Sequence, residues 1–244
     1  YVVGSEQDYH FQVLFAILKK LGRKYAAGLF HLSYGMVDLP TGRMKSREGT
    51  VVDADELMDE TVNEARNRTA ELGKINELGI QEADALYEML GLGALKYFLL
   101  KVEPKKRMTF NPAESIDLHG NTATAIQYSH ARIQSVLRKA DAQGLQAQTQ
   151  VASYQLHADE RALIVHLLTL PQVVTEAAEA MSPSLLAAYG YELSRAFNKF
   201  FSSCSILSAD TPAQQTVRLG LCQTTGQALR TSMGVLGISL PERM

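Results

Sequence analysis

Cysteine is nearly absent from this 244-residue chain: Cys204 and Cys222 are the only two, each inside an apolar helical pattern. No Cys-x-x-Cys spacing occurs, so neither a zinc site nor a disulfide framework is expected, and a reducing, cytoplasmic compartment fits. Long apolar runs are missing too. None approaches the roughly 18 residues needed to span a bilayer, which argues against a membrane-crossing helix and a membrane partner. The chain opens on Tyr-Val-Val without the charged n-region of a signal peptide, and it lacks an initiator Met, so a piece of something longer is expected. An excess of positive charge is absent as well: Lys and Arg total 24 against 26 Asp and Glu, a formal charge of −2. That argues against a nucleic-acid binder of the basic-tail kind. It leaves open RNA binding by a local patch, because phosphate contacts depend on where the cations sit. No internal repeat or low-complexity tail is present. What remains, 46% apolar and 20% charged residues, is ordinary for a globular chain of one large or two modest domains.

The first fifty residues read as strand, helix, strand, loop, strand. Tyr1 to Val3 predicts a buried strand ending at Gly4. A helix from Asp8 to Leu21 follows, with Phe11, Leu14, Phe15, Leu18 and Leu21 at three- and four-residue spacing. Leu29 to Leu39 predicts a second strand, and a further apolar run lies beyond the loop at Thr50 to Val52. One helix cannot cover both faces of such a sheet, so this is an incomplete Rossmann-like α/β half-domain, with its other half expected upstream.

From Asp53 onward the pattern is helical. Asp53 and Glu56 have capping-box spacing for a helix to Leu72. Gln81 to Gly91 and Gly93 to Lys101 read as two short helices. Lys105, Lys106 and Arg107 form a basic knot before Asn111-Pro112, where a division into segments 1–108 and 109–244 is placed. Thr122 to Ala140 predicts an amphipathic helix burying Ile126, His130, Ile133, Val136 and Leu137. Helices over Arg161 to Leu170 and Gln172 to Met181 follow. Ser182-Pro183, and Asp210 or Thr211 with Pro212, then supply N-cap and N1 for two long ones. The fold class is therefore mostly α: the α/β half-domain, then an all-α bundle of about five helices.

The densest chemistry lies between Gly35 and Val52. Arg43, Lys45 and Arg47 crowd a loop flanked by Gly42 and Gly49, and cations so placed repel one another unless an anion visits. Phosphate suits Arg and Lys donors well; a solvated hairpin tip is the plainer alternative. Polar residues from Gly4 to Gln12 fall after a strand and before a helix, at the carboxyl edge where α/β sheets bind nucleotides. His10 there reads equally as a capping or packing histidine, Glu6 and Asp8 as helix-start carboxylates, and Met36 and Val37 as ordinary strand packing.

Four stretches together resemble the arginyl-tRNA synthetases, a family of class I aminoacyl-tRNA synthetases, in family order from first residue to last. They are YVVGSEQDYHFQVLF, the loop RMKSREG with TVVDADELMDE, GALKYFLL with AIQYSHARIQSVL, and LGISLPERM. The loop resembles a degenerate KMSKS motif. The resemblance implies an arginine–tRNA ligase with ATP, L-arginine and tRNA(Arg) as substrates and partners. Mg2+ would accompany the nucleotide, with no protein-bound metal site, no DNA partner and a monomeric state.

Residue by residue, the resemblance implies that Gln7 of the G-x-x-Q-x-x-H-F-Q pattern contacts arginine. Gly4, His10, Gln12, Met44 and the backbone of Met36 and Val37 would line the ATP site. Lys45, Ser46 and Arg47 would be the catalytic loop. Ser46 stands where the second KMSKS lysine is expected, which leaves Lys45 or Arg47, ahead of Arg43, to carry the charge. In the bundle, Tyr128 and Arg132 share a helix face and resemble a stacking ring and cation for an anticodon base. Asn198, Lys199 and Met244 match positions near the anticodon, while Phe197, Phe200 and Phe201 have core spacing. Ala125 replaces a second family tyrosine. No HxGH tetrad occurs, and His31-Leu32-Ser33-Tyr34-Gly35 is not one. The chain alone is therefore expected not to activate arginine; a non-catalytic helical RNA-binding module is the alternative.

Overall fold

The computed structural model describes residues 1–38, 53–71, 79–118, 120–147 and 154–244. Strand β1 (Val2–Gly4) pairs in parallel with β2 (Leu32–Tyr34), with Val3 opposite Ser33. Helix α1 (Asp8–Lys20) makes the crossover between them. A parallel pair requires such a crossover, so the βαβ reading of this stretch holds. The expected strand over Leu29 to Leu39 is instead two. β2 stops at Tyr34, and β3 (Val37–Asp38) pairs in parallel with a strand absent from the sequence reading, β4 (Met108–Thr109). The break falls at Gly35, whose N–H donates to the Pro104 carbonyl at 2.7 Å. Any Cβ there would collide with the Lys106 carbonyl. Glycine thus lets the basic segment cross the sheet's edge, and β4 straddles the division expected at 108/109.

Tyr1 and Val2, expected to be buried, are 60% and 69% exposed. Of the apolar stripe of α1, Phe11, Phe15 and Leu18 are half-buried while Leu14 and Leu21 face solvent. The reason is coverage: Phe11 and Phe15 pack on the Tyr1 ring, and no described element lies on the helix's far side.

Helices α2 (Ala54–Glu71) and α3 (Ile80–Leu100) pack against each other. Asp53 caps α2 as expected, its carboxylate accepting from the Asp55 N–H at 3.2 Å. The two short helices expected between Gln81 and Lys101 are one, continuous through Gly91 and Gly93. Gly91 is a contact rather than a stop, since a Cβ there would lie 2.6 Å from the Val62 Cα. The short α4 (Pro112–Ser115) leads to α5 (Ala123–Ala142), capped by Thr122, whose hydroxyl accepts from the Ala125 N–H. Then come α6 (Ala158–Leu168), α7 (Leu170–Glu179), α8 (Pro183–Ser203) and α9 (Pro212–Val235). Thr211 and Gln214 form a reciprocal capping box for α9, so the Pro-headed starts of α8 and α9 fall where the sequence put them.

The bundle core joins Tyr97 of α3, Ile126 and Ile133 of α5, Leu163 of α6, Leu193, Phe197 and Phe200 of α8, and Leu229 and Met233 of α9. Each such side chain contributes about 1.5–3 kcal/mol by leaving water. A smaller cluster, Ala65, Leu86, Leu90, Ala94 and Ile116, lies between α2, α3 and α4 and receives Met244.

Candidate functional site

At the nucleotide edge, β1 ends at Gly4 and a single 3-10 turn (Ser5–Gln7) leads into α1. Gln7 is the N-cap of α1 and makes no side-chain cap bond; it is exposed, as are His10 and Gln12. His10 and Gln12 are two apart on one helix and therefore do not share a face. The edge is organised by His31, whose role the sequence reading missed. Its Nε2 lies 3.0 Å from the Val3 carbonyl and its Nδ1 3.3 Å from the Asp8 carboxylate. Its ring stacks on Phe11 at 4.3 Å between centroids. Asp8 is therefore committed to holding the start of α1 against β1 and β2.

On β3, the Met36 carbonyl accepts from Met108 N–H at 3.1 Å and the Asp38 carbonyl from Phe110 N–H at 2.8 Å. Backbone groups alternate along a strand, so the N–H and C=O of Val37 point away from β4. Arg107 is bound by both carboxylate oxygens of Asp38, which raises its pKa further, and Lys106 pairs with Glu103 at 3.1 Å. The basic knot is thus partly neutralised. Met44, Lys45, Ser46 and Arg47 lie outside the described residues, as does the apolar run after them.

The second site is a cavity of about 530 Å³ between α5 and α8. Tyr128, Arg132, Asn198 and Met244 all line it, so four of the five RNA contacts expected from the sequence come together. The Arg132 guanidinium carbon sits 4.9 Å from the Tyr128 ring centre and 5.0 Å from that of Phe201, a cation held between two aromatic faces. Arg132 Nη1 donates to Asn198 Oδ1 at 2.9 Å, and Asn198 Nδ2 donates to Ser129 Oγ at 2.9 Å, which fixes the amide's orientation. Across the cavity Tyr191 and Arg195 of α8 repeat the Tyr-to-Arg spacing of four, with the guanidinium 5.9 Å from the ring. That pair was legible by the same spacing and was overlooked.

The fifth residue, Lys199, is not in the cavity. Its ammonium is 2.9 Å from the Asp159 carboxylate, and this contact, with a hydrogen bond from Ser203, holds that carboxyl below its ordinary pKa. Helical geometry explains the separation: neighbouring positions on α8 differ by about 100°, so Asn198 turns to α5 while Lys199 turns to α6.

Comparison with known proteins covers both regions of the chain. Residues 1–111 match the family described as tRNA synthetases class I (R), catalytic domain, and residues 126–244 match the DALR anticodon binding domain. The chain belongs to the arginyl-tRNA synthetase family. Its relatives include the arginine–tRNA ligases of Phocaeicola vulgatus, 51% identical over 245 residues, and Flavobacterium psychrophilum, 49% identical over 244. In both, all of this chain aligns with 40% of the relative, so it spans well under half the length of the ligases it matches. The arginyl-tRNA synthetase structure from Thermus thermophilus superposes with a TM-score of 0.85 at 30% identity, covering 100% of this chain and 40% of that one. The Plasmodium falciparum structure, at 23% identity and a TM-score of 0.78, covers 100% and 41% and shares the fold. Within this family frame the aromatic and cationic residues of the cavity (Tyr128, Arg132, Tyr191 and Arg195) fall in the stretch matched as anticodon-binding, while Thr69 on its wall and the half-sheet fall in the stretch matched as catalytic.

Proposed function

We propose that this chain is the working C-terminal part of an arginine–tRNA ligase, with the division between its catalytic and anticodon-binding segments near residue 109. In the ligase reaction an arginine carboxylate oxygen attacks the α-phosphorus of ATP, the bond to pyrophosphate breaks, and arginyl-adenylate forms. A ribose hydroxyl of the tRNA(Arg) terminus then attacks the carbonyl carbon and expels AMP. Charge builds on the departing pyrophosphate, and cations placed there act most in the transition state. Lys45 and Arg47, with Ser46 and Met44 between and before them, are the residues of this chain suited to that task. ATP enters as its magnesium complex; Gly4, His10 and Gln12 would border it, with Val37 offering a backbone donor and acceptor to the base. Gln7 would meet the arginine. The setting is cytoplasmic and the protein a monomer.

The observation that carries the proposal is the cavity. Tyr128 and Arg132 offer an exposed loop base a π-face and a cation, which is how unpaired bases are held. The cavity is built wholly from this chain's residues, whereas the nucleotide edge presents one wall. The isolated chain is therefore expected to bind tRNA(Arg) without activating arginine. Filter binding should detect tRNA binding by the chain, weakened about 5- to 150-fold by Tyr128→Ala, the loss of about 1–3 kcal/mol of stacking. ATP–pyrophosphate exchange with arginine and tRNA present should stay at background. No binding at low salt sinks the RNA reading; arginine-dependent exchange sinks the division of labour.

A further inference from the structure

Beyond Val235, where α9 ends, the chain has no regular helix or strand, yet it is tied down at nearly every second residue. Lys96 Nζ donates to the Gly237 carbonyl at 2.8 Å and Gln127 Nε2 to the Ser239 carbonyl at 2.9 Å. His130 Nδ1 lies 2.9 Å from the Pro241 carbonyl. Arg138 Nη1 donates to the Glu242 carbonyl at 2.9 Å, and Arg230 Nη2 to the Glu242 carboxylate at 2.8 Å. The donors come from three helices, α3, α5 and α9. Carbonyls 237, 239 and 241 alternate with Ile238, which is 2% exposed in the bundle core, as an extended path requires. The path ends at Met244, packed on the small apolar cluster and lining the cavity beside Tyr128 and Arg132.

His130 is the centre of this arrangement and fully buried. It sits on α5 between Tyr128 and Arg132, two residues from each, so the helix turns those two to the cavity and His130 toward the tail. A carbonyl oxygen only accepts, so Nδ1 carries the hydrogen. Nε2 is then an acceptor, 3.2 Å from Gln134 Nε2 and 3.5 Å from Arg230 Nη2. A segment without regular structure is loose unless held, and a loose Met244 would have to be ordered each time the cavity is filled.

We propose that His130, supported by Gln127, is a positioning residue that sets the register of the segment after α9 so that Met244 closes one wall of the RNA cavity. The proposal rests on the reading of that cavity as a tRNA site. Its test uses a full-length ligase carrying this segment. His130→Leu should weaken tRNA binding about tenfold, the loss of about one buried hydrogen bond, while kcat at saturating tRNA and KM for ATP hold. His130→Asn, which keeps a donor near the Nδ1 position, should recover most of the affinity. In a protein carrying Met244→Gly, His130→Leu should have no further effect, and Gln127→Ala should show the same dependence on Met244. Equal effects with and without Met244, or a fall in kcat that Asn does not rescue, overturn the positioning role. If Met244→Gly changes nothing while Tyr128→Ala weakens tRNA binding, this inference falls and the cavity reading stands. If neither change matters, the cavity reading falls and takes this one with it.

Discussion

Leu193, Phe197 and Phe200 of α8 are completely buried, whereas no residue of α1 is, and Val13, Leu14, Ile17 and Leu21 lie 39–62% exposed. Both helices carry an apolar stripe at helical spacing. Spacing tells which face of a helix is apolar; it does not tell whether a described element covers that face. The bundle supplies neighbours to α8 on several sides, from α5, α6, α7 and α9. Among the described residues, α1 packs chiefly against the short 3-10 turns at Ser5–Gln7 and Lys24–Gly28 and against the Tyr1 and His31 rings. Stability should therefore be concentrated in the bundle, and the contrast can be tested by substitution.

The largest effect is expected at the ion pair between α6 and α9. Arg218 Nε donates to Glu160 Oε1 at 2.6 Å, with Glu160 wholly buried, and Arg218 Nη1 donates to the Ser205 carbonyl at 2.7 Å. Glu160 also accepts from the His157 N–H at 2.7 Å, completing a capping box in which His157 is the N-cap of α6. Glu160→Leu would leave a buried guanidinium uncompensated and should cost about 3–5 kcal/mol in urea unfolding. Glu160→Leu with Arg218→Leu should recover most of that, but not the roughly 1 kcal/mol of the lost cap. A double variant no better than the single would show that the cap and packing outweigh the pair.

Comparable in size is the larger member of a matched pair of truncations. Phe197→Ala empties a fully buried site and should cost about 3–5 kcal/mol. Leu14→Ala, on the exposed side of α1, should change stability by less than about 0.5 kcal/mol. Equal losses from the two would mean that α1 is as well packed as α8, and the contrast between the two regions would collapse.

Much of this was readable from residues. The Pro-headed starts of α8 and α9 follow from fixed φ and a missing N–H, both local properties, and the structure places them where the sequence does. His130 was expected in the core and is there. The misses share one cause. Gly91 looked like a helix stop because a glycine's local preference is all a sequence displays, whereas its role is to admit the α2 backbone. Gly35 and β4 were missed because two-residue strands carry too little alternation to be seen. The cavity was legible in part: Tyr128 and Arg132 are four apart on one helix, but that Asn198 joins them while Lys199 does not depends on how α8 is turned. His31 was set aside for failing a motif, although its contacts to Val3, Asp8 and Phe11 organise the nucleotide edge.

The smallest effect is a pH dependence confined to the bundle. Burial pushes the His130 pKa below its ordinary 6.5, the Pro241 hydrogen bond works the other way, Arg230 lowers it, and Glu242 raises it. As pH falls through 6.5 the unfolded chain takes up a proton that the folded chain does not, so the unfolded state binds more protons and stability declines. Above 6.5 neither state is protonated at this residue and the contribution is flat; below the lowered folded value both are, and the loss levels off. Asp159 acts in a separate window, since its carboxyl is held below 3.8 by Lys199 and its contribution fades only at more acid pH. Thermal unfolding followed from pH 8 to pH 5 should therefore show a declining Tm that His130→Asn abolishes. A decline that survives the substitution unchanged would place the titrating group elsewhere and would remove the argument that His130 is held neutral, Nδ1–H toward the tail.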